Sequence, residues 1–175
     1  MTTADAFTEL FGRMPDLVRE AVGDLDADAL AHRPDPEANS VAWLVWHLTR
    51  IEDDHVAGAA AALGLDGHAD QAWLAEGWVE RFGLPFGPRE HGYGHGPEQV
   101  AAVHVPGELL TGYHDAVHAR TLAFLAAVSE EDWPRVVDES WDPPVTLLAR
   151  IASVANEVAQ HVGQAAYLRG LLERA

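Results

Sequence analysis

The sequence predicts an all-α protein, a four-helix bundle with a long crossover between its second and third helices. Three observations carry that expectation. Apolar residues recur at spacings of three and four in four long stretches, the pattern of helices with one buried face. Capping residues stand at the starts of the second and fourth of these stretches. Between the second and third lie about forty residues, Leu65 to Val105, with weak periodicity and much loop chemistry.

The first stretch, residues 4 to 22, places Phe7, Leu10, Phe11, Met14, Leu17, Val18 and Val22 on one stripe, with Pro15 positioned to kink it or split it. A turn-rich segment through Arg33-Pro34-Asp35-Pro36 follows, holding at most a helical turn around Ala27 to Leu30. Asn39-Ser40 then signals the N-cap of the second helix, with Val41, Leu44, Val45, Leu48 and Ile51 as its core stripe, running to about Ala62 before Gly64. The connection contains a weakly helical segment from Asp70 to Phe82, then Gly83-Leu-Pro-Phe-Gly-Pro and His91-Gly-Tyr-Gly-His-Gly, and is expected to lie across one end of the bundle. Pro106 opens the third helix, with Leu110, Tyr113, Val117, Phe124 and Val128 on its stripe. Thr146 caps the fourth, which runs from Leu147 to Leu172.

Composition narrows the classes. At 175 residues and 18.9 kDa the chain suits a single domain spanning residues 1–175. Hydrophobic residues make up 48%, which fits a soluble globular protein. No apolar run reaches membrane-spanning length and the N-terminus has no apolar signal core, so no membrane partner and a cytoplasmic location are expected. All eleven basic residues are arginines set against 28 acids, a formal charge of −17, which argues against nucleic-acid binding. With no cysteine, disulfides and thiolate metal sites are excluded, and any metal must rest on imidazole and carboxylate.

The fourth helix carries the anomaly. One of its stripes reads Val154, Glu157, His161, Gln164, Leu168, with three polar side chains where a bundle helix would normally be apolar. Glu157 and His161 stand at i and i+4, so their Cβ atoms lie about 5–6 Å apart and both can reach one metal ion. On the second helix His47 falls between Leu44 and Ile51, with Asp54 two turns on and Arg50 one turn on as a candidate anion anchor or salt-bridge partner. His114 and His118 on the third helix repeat the i, i+4 spacing without a carboxylate on their stripe, and spacing alone is a weak signal. His91 and His95 sit in a glycine-rich loop that reads as a mobile surface turn, and His55 as a helix-surface residue.

The stretch Asn39-Ser-Val-Ala-Trp-Leu-Val-Trp-His47-Leu-Thr-Arg-Ile-Glu-Asp-Asp-His resembles the second helix of the DinB-like superfamily, and Glu157-xxx-His161-Val-Gly-Gln-xx-Tyr-Leu-Arg resembles its fourth. That superfamily includes the metal-binding domain of the mycothiol-dependent maleylpyruvate isomerases and related thiol transferases. The resemblance implies a divalent metal held by His47, Glu157 and His161, with the Glu-xxx-His form pointing to the mycothiol side of the family. The chain stops just after the fourth helix, without the isomerase's additional domain, so isomerisation itself is not expected.

Two imidazoles and a carboxylate leave a coordination position open, the catalytic rather than the structural arrangement for zinc; nickel also suits the set, and iron(II) shares it. A small thiol binding there would lose its proton to the metal's charge and could attack an electrophile, which gives a thiolate to a protein without cysteine. Asp54 and Gln164 are candidates to orient the ligands from behind. The expected function is therefore a metal-dependent transferase using mycothiol or a similar thiol on a small electrophile, as in detoxification. The alternatives are a non-catalytic metal- or small-molecule-binding stress-response protein, or a metal-dependent hydrolase. A transferase calls for a groove beside the metal, a binding module for a narrow closed site, a hydrolase for an added general base. Related bundles often pair as homodimers, and no face of this sequence declares itself for that role.

Overall fold

The first helical stretch is two helices in the computed structural model, which describes residues 1–174. Helix α1 (Thr3–Phe11) begins with a capping box: the Thr2 hydroxyl accepts the Asp5 N–H at 3.1 Å and the Asp5 carboxylate accepts the Thr2 N–H at 2.8 Å. The chain breaks at Gly12-Arg13, and Pro15 lies in the first turn of α2 (Met14–Val22), where its missing N–H costs no hydrogen bond. Pro15 therefore splits the stretch rather than kinking it. Helix α3 (Ala27–Ala31) is the short turn expected there.

Helix α4 (Val41–Leu63) starts where the Ser40 hydroxyl accepts the Trp43 N–H and ends at Gly64, in left-handed backbone with φ +77°. The connection contains a 3-10 turn, α5 (Ala72–Ala75), α6 (Trp78–Phe82) and α7 (Pro97–Ala101). Helix α8 (Gly107–Ala127) follows. The strands β1 (Val136–Asp138) and β2 (Val145–Thr146) pair antiparallel, and α9 (Leu147–Leu172) opens on Thr146. This hairpin was not expected, because strands of three and two residues are too short to show alternation. It fixes the start of α9: Leu147 and Leu148 donate to the carbonyls of Arg135 and Trp133 at 2.8 and 3.0 Å.

Helices α2 and α4 each pack against both α8 and α9, so α2 faces α4 across one diagonal of the bundle. Phe11, Val18, Leu44, Leu48, Tyr113, Phe124, Ile151 and Val158 fill the centre. Helix α4 is the most enclosed element: residues 41–53 are buried without interruption, including His47, Thr49, Arg50, Glu52 and Asp53. A helix buried on every side needs neighbours on every side, and the connection supplies the last wall. It runs along the flank of α4 rather than across an end of the bundle. Burying unpaired polar groups would cost several kcal/mol each, on the order of 2–7 by transfer estimates, and the connection's backbone satisfies many of them. The Asp53 carboxylate accepts the N–H groups of Ala72 and Trp73 and the Tyr113 hydroxyl, all at 2.8 Å. Trp73 and Trp78 clamp the same segment through the Tyr113 ring, with centroids 5.1 and 5.5 Å away.

Arg50 belongs to this clamp and not to a substrate site or a surface ion pair. It is fully buried, donates from Nε to the Glu90 carbonyl at 3.2 Å and from Nη1 to Gln71 and Tyr113, and lies 3.6 Å from Asp53. Among the described residues no helix is long and apolar enough to cross a membrane.

Candidate metal centre

His47 reaches the centre from α4, and Glu157 and His161 reach it from successive turns of α9. Glu157 Oε1 lies 3.4 Å from His47 Nε2 and 3.1 Å from His161 Nε2, and one ligand atom from each residue falls within 4.8 Å of the other two. The two imidazole rings meet edge to face with centroids 5.0 Å apart. A tetrahedral ion with bonds of about 2.1 Å sets its donors roughly 3.4 Å from one another. Glu157 stands at about that spacing from both imidazoles, and the three ligand atoms all lie within 4.8 Å of one another.

The far nitrogens decide what the near ones present. His47 Nδ1 bonds the backbone carbonyl of His91, an acceptor only, so that nitrogen carries the proton. His161 Nδ1 stands 2.9 Å from the Gln164 side-chain amide; with the amide oxygen turned to it that nitrogen carries the proton, the same tautomer as His47, and Nε2 is left to face Glu157. Both Nε2 atoms then carry lone pairs aimed at a carboxylate oxygen. Three acceptors converging on one point repel unless a cation or proton stands between them, and a histidine whose other nitrogen is anchored by a carbonyl is the usual form of a metal-bound imidazole. The residues fit a divalent ion. Burial is the main cause that holds the His47 pKa below its usual value, helped by His161 and opposed by the His91 carbonyl and Glu157.

The glycine-rich loop is the part that sequence reasoning placed elsewhere. It packs over His47 instead of moving freely at the surface. Gly92 has φ +96°, and a Cβ there would stand 2.6 Å from His47 Nδ1 and 3.1 Å from the Trp46 ring. His95 accepts the Trp43 indole N–H at 3.2 Å through Nδ1, and its Nε2 faces the Glu90 carboxylate at 3.3 Å. Trp43 in turn stacks on the His47 ring, centroids 4.6 Å apart. The clue in the sequence was the run of glycines beside two histidines, but a backbone carbonyl as partner has no residue signature.

The structure thus brings together His47, Glu157, His161 and Gln164, and it does not bring Asp54 to them. The Asp54 carboxylate is engaged by Gln71 Nε2 at 2.7 Å and by His55 at 3.4 Å, because two turns along α4 carry it about 10 Å beyond His47. The His91 carbonyl does the work expected of it. Among the described residues His114 and His118 gain no third ligand: their rings lie parallel with centroids 6.1 Å apart, and His114 is buried with neither nitrogen hydrogen-bonded.

A groove of about 600 Å³ opens beside His161, between the N-terminal end of α4 and the last turns of α9, and Gln164 borders both it and the centre. Leu44 and Leu168 line its apolar side.

The fold and site define a helical bundle with a three-residue candidate metal centre shared between its two most closely packed helices. The chain belongs to the DinB superfamily, whose family profile matches residues 10–165. It is similar to the crystal structure of a conserved protein from Enterococcus faecalis, with 31% sequence identity and a TM-score of 0.87, covering 100% of this chain and 99% of that one. No curated protein matches the chain.

Proposed function

We propose that the protein is a metal-dependent S-transferase that joins a low-molecular-weight thiol, mycothiol or a close equivalent, to a small electrophile. The observation that carries the proposal is the convergence of two fixed Nε2 lone pairs and a carboxylate beside an open groove. His47, Glu157 and His161 would hold the ion, zinc or nickel by donor type, with iron(II) sharing the set. Such an ion supplies positive charge that keeps a coordinated thiol ionised at neutral pH. The chain has no cysteine, so the sulfur must come from a second molecule.

The protein's own groups bind and orient. The His91 carbonyl and Gln164 hold the two imidazoles in one tautomer and one orientation. Trp43 and the 91–95 loop keep water from the His47 side, where that side chain is only 5% exposed, while Glu157 at 37% leaves the centre open toward solvent. The groove gives the thiol's body a seat, which a closed binding module would not need. The resemblance of Glu157-xxx-His161 to the mycothiol branch supports that thiol above others.

The test is adduct formation, followed by mass spectrometry, from zinc- or nickel-loaded protein given mycothiol, bacillithiol or glutathione with an epoxide or a chloro-dinitroarene. A metal-dependent adduct that Glu157→Ala abolishes is expected. No metal-dependent rate with any of the three thiols would contradict the proposal.

A further inference from the structure

Resting on the thiol reading, we infer that the groove beside His161 is built for an uncharged, hydrogen-bonding co-substrate, that the bare wall at Gly163 gives it room, and that Glu37 helps to reject carboxylates. The first observation concerns charge. The polar groups bordering the groove are the carboxylate of Glu37, the amides of Asn39, Gln160 and Gln164, and the Tyr167 phenol. Among the described residues none of its lining groups is basic. Arg33, the nearest arginine in sequence to Glu37, donates from Nη1 to the carbonyls of Pro36 and Pro97 and does not line the groove. Recognition of a carboxylate or phosphate ordinarily uses an arginine fork or a lysine. A groove of amides and a phenol beside two carboxylates, Glu37 and Glu157, instead suits amide and hydroxyl groups.

The second observation is independent of charge. Gly163 stands in the middle of α9, where glycine costs about 0.5–1 kcal/mol relative to alanine. Packing does not require it, because a Cβ placed there would meet nothing within 4 Å. The contrast is Gly112 in α8, where a Cβ would press on the Trp78 ring at 3.2 Å. Gly163 lines the groove two residues after His161. Gly58 in α4 is likewise free of contacts; what sets Gly163 apart is that it lines the groove, where its missing side chain keeps space open.

The experiment uses the full chain loaded with cobalt(II), titrated with N-acetylcysteine amide and with N-acetylcysteine, two thiols that differ only in carboxamide against carboxylate. The sulfur-to-cobalt charge-transfer absorption reports binding, with the thiol proton released to buffer. The amide is expected to bind at least tenfold more tightly than the acid. Gly163→Leu should keep one cobalt per chain and melt at or above the wild-type temperature, leucine being the better helix former, yet bind the amide at least tenfold more weakly. Glu37→Gln should narrow the preference for the amide, whereas Glu20→Gln, with the same change in net charge away from the groove, should not. Equal binding of acid and amide, unchanged binding in Gly163→Leu, or the same preference in Glu37→Gln and Glu20→Gln would each overturn the inference while leaving the thiol reading intact. No absorption change in wild type with either thiol would overturn both.

Discussion

Glu157 and His161 on α9 and His114 and His118 on α8 share one spacing and end in opposite chemistry. The α9 pair meets His47 from the facing helix, and its histidine has a partner for each nitrogen. Among the described residues the α8 pair joins no group of three possible metal ligands; His114 is 1% exposed with both nitrogens unbonded, and neighbouring Asp115 is engaged by Arg19 at 2.7 Å. Helical spacing brings two side chains together, but the element across from them decides whether they form a site. The acceptor behind each ring is the second requirement, and only one of the pairs has it.

Removing a ligand should separate the two pairs most sharply. Glu157→Ala is expected to weaken zinc binding, read by calorimetry, by more than about a hundredfold, beyond the effect of outer-shell partners. The double variant His114→Ala, His118→Ala should bind zinc as wild type does. If that double variant loses zinc instead, the comparison is inverted.

The α8 pair should appear in stability rather than in metal binding. Burial, with His118 and Arg19 adding and Asp115 opposing, pushes the His114 pKa down to about 4 from 6.5. The unfolded chain therefore takes up the proton first on acidification. Stability is full above about pH 6.5 and falls as pH drops toward 4, by on the order of 3 kcal/mol from this group. Denaturant melts of wild type and His114→Leu at pH 7.5 and pH 4.5 should show the variant losing less between the two, and equal losses would remove His114 as the cause.

Two smaller effects test the acceptors behind the rings. Gly92→Ala puts a methyl 2.6 Å from His47 Nδ1 in backbone that disfavours a side chain, so the His91 carbonyl must move. Zinc affinity should fall about 10–100-fold with helical circular dichroism unchanged. Gln164→Ala removes a side-chain acceptor at the open edge of the site, and a loss near 10-fold is expected. Wild-type affinity in both variants would show that the tautomers are held by something else.

The helices were legible because their ends and faces have residue signatures. Ser40 and Thr146 cap α4 and α9 as their sequences imply, and Pro15 marks the break between α1 and α2. His161 and Glu157 stood out because polar groups replaced apolar ones on a periodic stripe, while His47 needed the family resemblance to be paired with them. The rest depended on irregular chain. Arg50 reads as an anion anchor or an ion-pair partner until the connection covers α4, and Asp54 is assigned through a helical face that the connection occupies with Gln71. The His91 carbonyl belongs to the backbone, whose contacts no residue type encodes.

The most direct measurement is the metal content of protein purified without chelator or nickel affinity resin, wild type beside His161→Ala. About one zinc or nickel per chain in wild type, lost in His161→Ala, is the result expected of a centre made by His47, Glu157 and His161. No metal in wild type and no uptake when zinc, nickel or iron(II) is added would contradict it, and the three side chains would then be a polar patch closed by a shared proton.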